Sequence, residues 1–152
     1  MSTPKNREEQ LRRLLVELQI LQNTAEVLQS RVNILEAGIT EFRVAGTTLE
    51  ELKKEGEGAS ILLPIGGESF IRAKLGNIST VIMGIGTDVS VEMELDKALE
   101  DIGARLSESE KASLSAQEQL SQIVAQMQSH QENVNRLSAE LRGEGASGVQ
   151  QA

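Results

Sequence analysis

The chain has 152 residues, a formal net charge of −8, 39% apolar residues and only 1% aromatic residues. An acidic chain without Tyr or Trp lacks the basic face and the stacking platforms that nucleic-acid binding uses, so we expect no nucleic-acid partner. The absence of Cys excludes disulfides and thiolate sites, and the scarcity of aromatic side chains argues against an enzyme with a buried pocket.

A long helix is predicted for residues 4–44. Thr3 suits the N-cap and Pro4 suits the first helical position. From Leu11 to Phe42, apolar residues recur at alternating steps of four and three, which is the heptad pattern of a coiled coil. An amphipathic helix on a globular core is the alternative, but the continuous seam favours the coiled coil.

Residues 45–57 are predicted to form a short helix and a linker. Gly46 is expected to end the long helix. Thr47 and Thr48 each precede a glutamate by three residues, which is the capping-box spacing of a new helix start. We expect this short helix over residues 49–54, followed by a Gly-Glu-Gly turn.

Residues 58–93 are predicted to form two β-hairpins. Short runs rich in Ile, Val and Leu alternate here with glycine-containing turns, which is typical of strands joined by tight turns. So few strands cannot bury both apolar faces, and their free edges invite pairing with another chain. The segment therefore predicts a protein partner. The expected strands are residues 60–65, 69–75, 80–85 and 89–93.

A second long helix is predicted for residues 94–142. Its seam again follows heptad spacing from Leu95 to Leu141. Small residues such as Ser113 occupy the middle of the seam, which predicts local flexibility there. The glycine-rich residues 143–152 are expected to be a disordered tail.

The simplest packing of the two helices is an antiparallel hairpin, because both leave the strand segment at one end. The second helix is expected to be longer, so apolar residues at the free ends would lack complete intramolecular partners. Uncovered apolar surface usually marks a binding site, although fraying of the helix tips explains the pattern equally well. The residues concerned are Leu11, Leu14, Leu15, Val134, Leu137 and Leu141.

No catalytic, cofactor-binding or metal-binding pattern is found in the sequence. The glycines near Gly84 lack the third glycine of a dinucleotide fingerprint and are interpreted as turn residues. His130, the single histidine, lies on the helix seam, where a packing role is favoured over that of a general base. A further hypothesis is that protonation of His130 loosens the tip of the helix pair at about pH 6. Glu92, Glu94 and Asp96 lack the pattern of a calcium loop. We expect no enzyme, cofactor or metal.

No targeting or membrane segment is predicted. The N-terminus has no apolar signal-peptide core. No apolar run approaches the length of a membrane span, which is about 18 residues. Asn77-Ile78-Ser79 formally matches a glycosylation acceptor but is interpreted as a turn. We expect a soluble, cytoplasmic protein without a membrane partner.

The strand segment resembles the central region of archaeal prefoldin alpha subunits. The specific parts are Pro-Ile-Gly-Gly-Glu-Ser-Phe-Ile at residues 64–71 and Ile-Met-Gly-Ile-Gly at residues 82–86. Two hairpins between the helices match an alpha-type subunit, whereas a beta-type subunit has one. The resemblance implies an α+β fold that is mostly α. In it, a long antiparallel coiled-coil helical hairpin is joined through two central β-hairpins, which form an intersubunit β-barrel.

The resemblance also implies a function. It points to an ATP-independent holdase, a hexamer of two alpha and four beta subunits, that binds non-native polypeptides at its coiled-coil tips and delivers them to a group II chaperonin. The tip residues would be those at the helix ends named above. The residues assigned to assembly are Ile61, Leu63, Ile65, Phe70, Ile71, Val81, Met83, Ile85, Val89 and Val91.

A structural coiled-coil adaptor that binds one fixed, folded partner is the alternative function. The seams and the strand segment fit an adaptor as well as a chaperone. Only the family resemblance favours the chaperone.

Overall fold

A computed structural model describes residues 3–149, with side chains described up to Gly145. The elements in order are α1 (Pro4–Glu55), β1 (Ser60–Gly66), β2 (Ser69–Lys74), β3 (Thr80–Gly86), β4 (Val89–Glu94) and α2 (Leu95–Val149). The α+β class dominated by helix is confirmed. The β-barrel between subunits needs other chains and stays a prediction. The chain divides into two compact units, one of residues up to 34 with residues from 112 onward, the other of residues 35–111.

Helix α1 continues through Gly46 to Glu55, so the predicted break and separate short helix are wrong. Gly46 follows Phe42 by four residues and precedes Leu49 by three, so the heptad seam passes through the glycine. Ile102 lies against this position, with its Cγ2 3.5 Å from where a Cβ would stand. Because a glycine inside a helix costs only about 1 kcal/mol, the continuing seam outweighs it.

Both ends of α1 have local capping contacts. Thr3 is the N-cap as predicted, since its Oγ1 accepts a hydrogen bond of 3.4 Å from the backbone N–H three residues later. At the other end Gly56 has a positive φ of 78°, and its N–H donates to the Leu52 carbonyl at 2.9 Å. The residue that ends the helix is therefore Gly56, ten residues after the glycine predicted to do so.

Helix α2 extends to Val149, beyond the predicted end at residue 142. Arg7 of α1 forms ion pairs with Glu144 and, at 3.9 Å between Nε and Oε2, with Glu140. These ion pairs attach the turn of α2 that contains Glu140 and Glu144 to α1. Part of this turn lies in residues 143–152, for which the sequence predicts a disordered tail. Residues 150–152 of that predicted tail lie outside the described residues.

In the unit of residues up to 34 and from 112, α1 and α2 run antiparallel along the predicted seam. Arg7 faces Glu140, while Glu17 faces His130, so residues early in α1 meet residues late in α2. Ser113 is buried in this seam, where its Oγ accepts a hydrogen bond of 3.2 Å from the Gln117 amide. The flexibility expected there stays a prediction. The buried apolar residues are Leu18, Val32, Ala116, Val134 and Leu137.

In the unit of residues 35–111, the remaining parts of α1 and α2 are also antiparallel. Arg43 pairs with Glu110 at 2.8 Å, and Lys53 pairs with Asp96 at 2.7 Å. These exposed pairs flank a small apolar core and contribute little to stability by themselves. The buried residues of this core are Ile39, Leu95, Ala98 and Ile102.

The two predicted hairpins are confirmed, and each forms its own antiparallel sheet, β1 with β2 and β3 with β4. The turns have two residues each, Gly67-Glu68 and Thr87-Asp88. All four have positive φ, with values of 56°, 56°, 26° and 59°, as a type I′ turn requires. The glycine-containing segments predicted to close the hairpins therefore do so, in a geometry that suits the twist of the strands.

Candidate functional site

The sheet of β1 and β2 exposes apolar side chains on both faces. Leu63 lies opposite Ile71 on one face. On the other face, Leu62 and Phe70 are 64% and 57% exposed. Exposed apolar surface on both faces of one sheet indicates that other protein covers it.

The sheet of β3 and β4 has two different faces. Val81, Met83, Val91 and Met93 share one face, where they are half-buried. On the opposite face Ile82 is 77% exposed. The second hairpin therefore offers a strongly exposed isoleucine on the face away from its half-buried side chains.

A charged side chain of α2 holds the second hairpin. The Arg105 guanidinium donates a hydrogen bond of 2.9 Å to the Gly84 carbonyl of β3. One turn earlier on α2, Asp101 pairs with the Arg105 Nε at 2.9 Å, which orients the guanidinium. Gly84 is the last paired residue before a bulge at Ile85. The contact therefore attaches the hairpin to the helix next to its turn.

The residues assigned to assembly from the sequence all lie on the two hairpins, but not on one surface. Ile65 and Ile85 sit at the bulges, and Phe70 lies on the face opposite Leu63. Leu62 and Ile82, which the sequence analysis missed, are more exposed than any residue in the assigned set. Their apolar character at alternate strand positions was the available signal. Of the other assigned residues, four are half-buried: Ile61, Val81, Met83 and Val91. Three are exposed: Leu63, Ile71 and Val89, the last directly after the second turn.

The residues assigned to the helix tips are covered to different degrees. Leu15 is exposed, whereas Val134 and Leu137 are buried, with 8% and 5% exposure. The expectation that Val134 and Leu137 lack an intramolecular partner is wrong, because α1 begins early enough for Arg7 to meet Glu140 beside them. The other assigned residues are half-buried: Leu11, Leu14 and Leu141.

A second apolar stripe, which the sequence analysis did not anticipate, runs along the outer side of α1. It consists of Val16, Ile20, Val27 and Ile34, which are 58–69% exposed, and is called the outer stripe. Its members recur at steps of four and seven, at positions outside the seam, and Ile20 also borders a groove that Gln126 and His130 of α2 line. The signal available in the sequence was this spacing of β-branched residues between the seam positions.

His130 is held between the two helices by both of its ring nitrogens. Nδ1 lies 2.9 Å from the Gln126 carbonyl oxygen, and Nε2 lies 2.9 Å from Glu17 Oε2. Both partners are acceptor oxygens, so the protonated ring, which donates from both nitrogens, satisfies both contacts. The hydrogen bond to Glu17, followed by that to the Gln126 carbonyl, raises the pKa of His130 above 6.5. Protonation therefore strengthens this contact, which is opposite in sign to the hypothesis of proton-linked loosening.

The remaining candidate motifs have structural roles. The Asn77 side chain accepts a hydrogen bond of 2.8 Å from the Ser79 N–H, which confirms the predicted turn. The Thr80 hydroxyl lies 3.0 Å from Glu92, and Asp96 pairs with Lys53. Within residues 3–149, no group of three or more His, Asp or Glu side chains is placed to hold a metal ion. Among the described residues, neither α1 nor α2 contains the continuous apolar stretch that a membrane span needs.

Comparisons with known proteins place this arrangement in a family. Residues 21–140 match the family model described as Prefoldin subunit. The prefoldin subunit alpha of Thermococcus onnurineus is 40% identical over 103 residues, which cover 67% of this chain and 70% of that protein. The prefoldin subunit alpha of Methanopyrus kandleri is 35% identical and covers 79% of this chain and 78% of its own length.

A solved structure has a similar fold. The cryo-EM structure of filamentous PFD from Methanocaldococcus jannaschii superposes with a TM-score of 0.62. The superposition covers 73% of this chain and 92% of that chain, at 24% sequence identity. At this identity the similarity supports the fold alone.

Proposed function

This chain belongs to the prefoldin family as an alpha-type subunit, and we propose that it works in an ATP-independent holdase that captures non-native polypeptides. In this proposal the holdase acts in the cytoplasm and delivers its clients to a group II chaperonin. The prefoldin family is a family of chaperones rather than of enzymes, and no enzymatic activity is proposed. The observation that carries the proposal is apolar surface left accessible, on both hairpins for assembly and at Leu15 near the end of the paired helices for clients.

The hairpins are proposed to assemble with other prefoldin subunits, two alpha with four beta. Each sheet has only two strands within residues 3–149, so every strand has one edge without a strand partner there. Such edges pair readily with strands of another chain, and closure into a barrel between subunits removes them. Leu62, Phe70 and Ile82 would lose their exposure in this assembly.

Client capture is proposed at the ends of the paired helices. Leu15 is exposed, and Leu11, Leu14 and Leu141 are half-buried, so these four are accessible to a client while the seam stays closed. Val134 and Leu137 would take part only where the helices separate. Each contact is weak, but several arms acting together convert weak contacts into useful capture.

Assembly is tested with the full chain and a beta-type prefoldin subunit. Native mass spectrometry should give a complex of two alpha and four beta subunits. The double variant Leu62→Glu with Ile82→Glu should prevent this complex, because it places charges on the surface to be covered. The matched control Val16→Glu with Val27→Glu adds the same charge on α1 and should assemble normally.

Client capture is tested with the assembled complex and a chemically unfolded protein diluted into buffer. Suppression of aggregation without ATP supports the holdase, and Leu11→Gln with Leu15→Gln should weaken it. Saturable, high-affinity binding of one folded protein without any suppression would instead support the structural adaptor.

A further inference from the structure

The outer stripe of α1 is an apolar surface that neither the proposed assembly nor the proposed tip contacts use. Val16, Ile20, Val27 and Ile34 are 58–69% exposed and lie within a single compact unit. Four β-branched side chains in line on a solvent-facing helix surface are costly to leave uncovered, since each loses hydrophobic stabilisation there. A partner is therefore expected on this surface.

The spacing of the outer stripe fits a helix and not an extended chain. With Asn23 and Ser30 included, positions 16–34 alternate in steps of four and three, which is a second heptad pattern on the same helix. The seven-residue step is about 10.5 Å along a helix axis, and a partner helix repeats its own apolar positions at the same interval. In an extended strand, side chains on the same side recur at intervals of about 6.6 Å, so they do not stay aligned with apolar side chains spaced at the helical interval.

The polar side chains beside the outer stripe do not need a partner of fixed chemistry. The Gln19 amide donates to Asn23 at 3.1 Å, and the Gln29 amide donates to Asn33 at 3.0 Å. Because these amides are bonded within α1, a docked segment covers the stripe without having to supply hydrogen bonds to them. The positions that flank the stripe carry charges of both signs, Glu17, Glu26 and Arg31, so the surface selects weakly for the charge of its partner.

The size of the outer stripe indicates a transient occupant. A stable interface uses about 20–30 residues from each partner, whereas this surface offers four apolar side chains separated by polar positions. Stable docking of a second copy of the chain would need more area than that. A short segment that binds and leaves quickly fits the area.

We infer that the outer stripe docks amphipathic helical segments of non-native polypeptides. This inference rests on the proposed holdase function and names a class of segment that it binds. Docking along the side of α1 adds a lateral contact to those at the helix ends, so a client with nascent helix is held at more points than a fully extended one.

The test uses the complex of the full chain with beta-type subunits and two fluorescent probes. One probe is a three-heptad amphipathic peptide, and the other has the same composition with two central residues exchanged for proline. Fluorescence anisotropy should show about tenfold tighter binding of the helical peptide. The variant Ile20→Gln, Val27→Gln, Ile34→Gln should remove this preference, and glutamine keeps the helix because it is a good helix former.

The matched control removes exposed apolar side chains from α2 in the same unit, through Leu114→Gln with Val124→Gln. It should keep the affinity of the unchanged complex for the helical peptide. Equal binding of both peptides by the unchanged complex, or unchanged binding by the stripe variant, would overturn the inference. If either result is obtained while the unchanged complex still suppresses aggregation, the proposed holdase function stands and only the docking inference fails. A change in the sedimenting mass of the stripe variant's complex would assign the stripe to a subunit contact and also overturn the inference.

Discussion

The Nε2 atom of His130 on α2 lies 2.9 Å from the Glu17 carboxylate on α1, while Nδ1 of the same ring faces the Gln126 carbonyl. The contact joins the two helices at a seam position where an aliphatic residue would be usual. A charged hydrogen bond at such a position favours one register of the helices over its neighbours. Because the contact raises the pKa of His130, it also predicts that the pairing of the helices depends on pH.

Acid should stabilise the helix pair through His130. Because the folded-state pKa is raised above 6.5, this contribution is complete below about pH 6.5 and is lost as the pH rises through the folded pKa. The urea concentration at the unfolding midpoint should therefore be higher for the wild type than for His130→Gln, and this difference should be larger at pH 5.5 than at pH 9. In a Glu17→Gln background, the effect of His130→Gln on the midpoint should be nearly the same at both pH values. An equal effect at both pH values in the wild-type background would show that protonation of His130 is not linked to folding.

Removing Arg105 should loosen the second hairpin. Arg105→Gln loses the hydrogen bond to the Gly84 carbonyl and should lower the free energy of unfolding by about 1 kcal/mol, with faster amide exchange in β3 and β4. Arg43→Gln is the matched control, since its ion pair with Glu110 is more exposed and should be worth at most about 0.5 kcal/mol. Equal effects of the two variants would mean that the Gly84 contact adds nothing.

The second turn should be improved by removing a β-branched residue. Thr87 has a φ of 26°, whereas Gly67 occupies the corresponding position of the first turn. Thr87→Gly should stabilise the chain by about 1 kcal/mol, because glycine adopts positive φ without the clash of a Cβ. The reciprocal variant Gly67→Thr should destabilise it by a similar amount in the same thermal unfolding measurement.

Gly46 should tolerate alanine, whereas Gly56 should not. At Gly46 an added Cβ meets Ile102 at an ordinary contact distance, so Gly46→Ala should gain about 1 kcal/mol from helix propensity. Gly56 has a positive φ of 78°, so Gly56→Ala should lose about 1 kcal/mol. Urea unfolding followed by helix content measures both, and a loss at Gly46 would mean that α1 is distorted there.

Much of the fold could be predicted because its signals are local. The Thr3 cap, the heptad spacing and the two turns each depend on residues within a few positions of one another, and all are found. The end of α1 could not be placed, because whether a helix passes Gly46 depends on Ile102, which lies more than fifty residues away. The candidate surfaces were predicted in part, since the hairpins were found but Leu62 was not included.

The sequence by itself determined which segments are helix and strand, since periodicity and turn chemistry act over short distances along the chain. Only the tertiary structure decided which apolar residues remain accessible, because that depends on the register between α1 and α2. In the register in which Arg7 meets Glu140, Val134 and Leu137 are buried. The same packing turns the outer stripe toward solvent, since a helix that buries one face against its partner must expose the other.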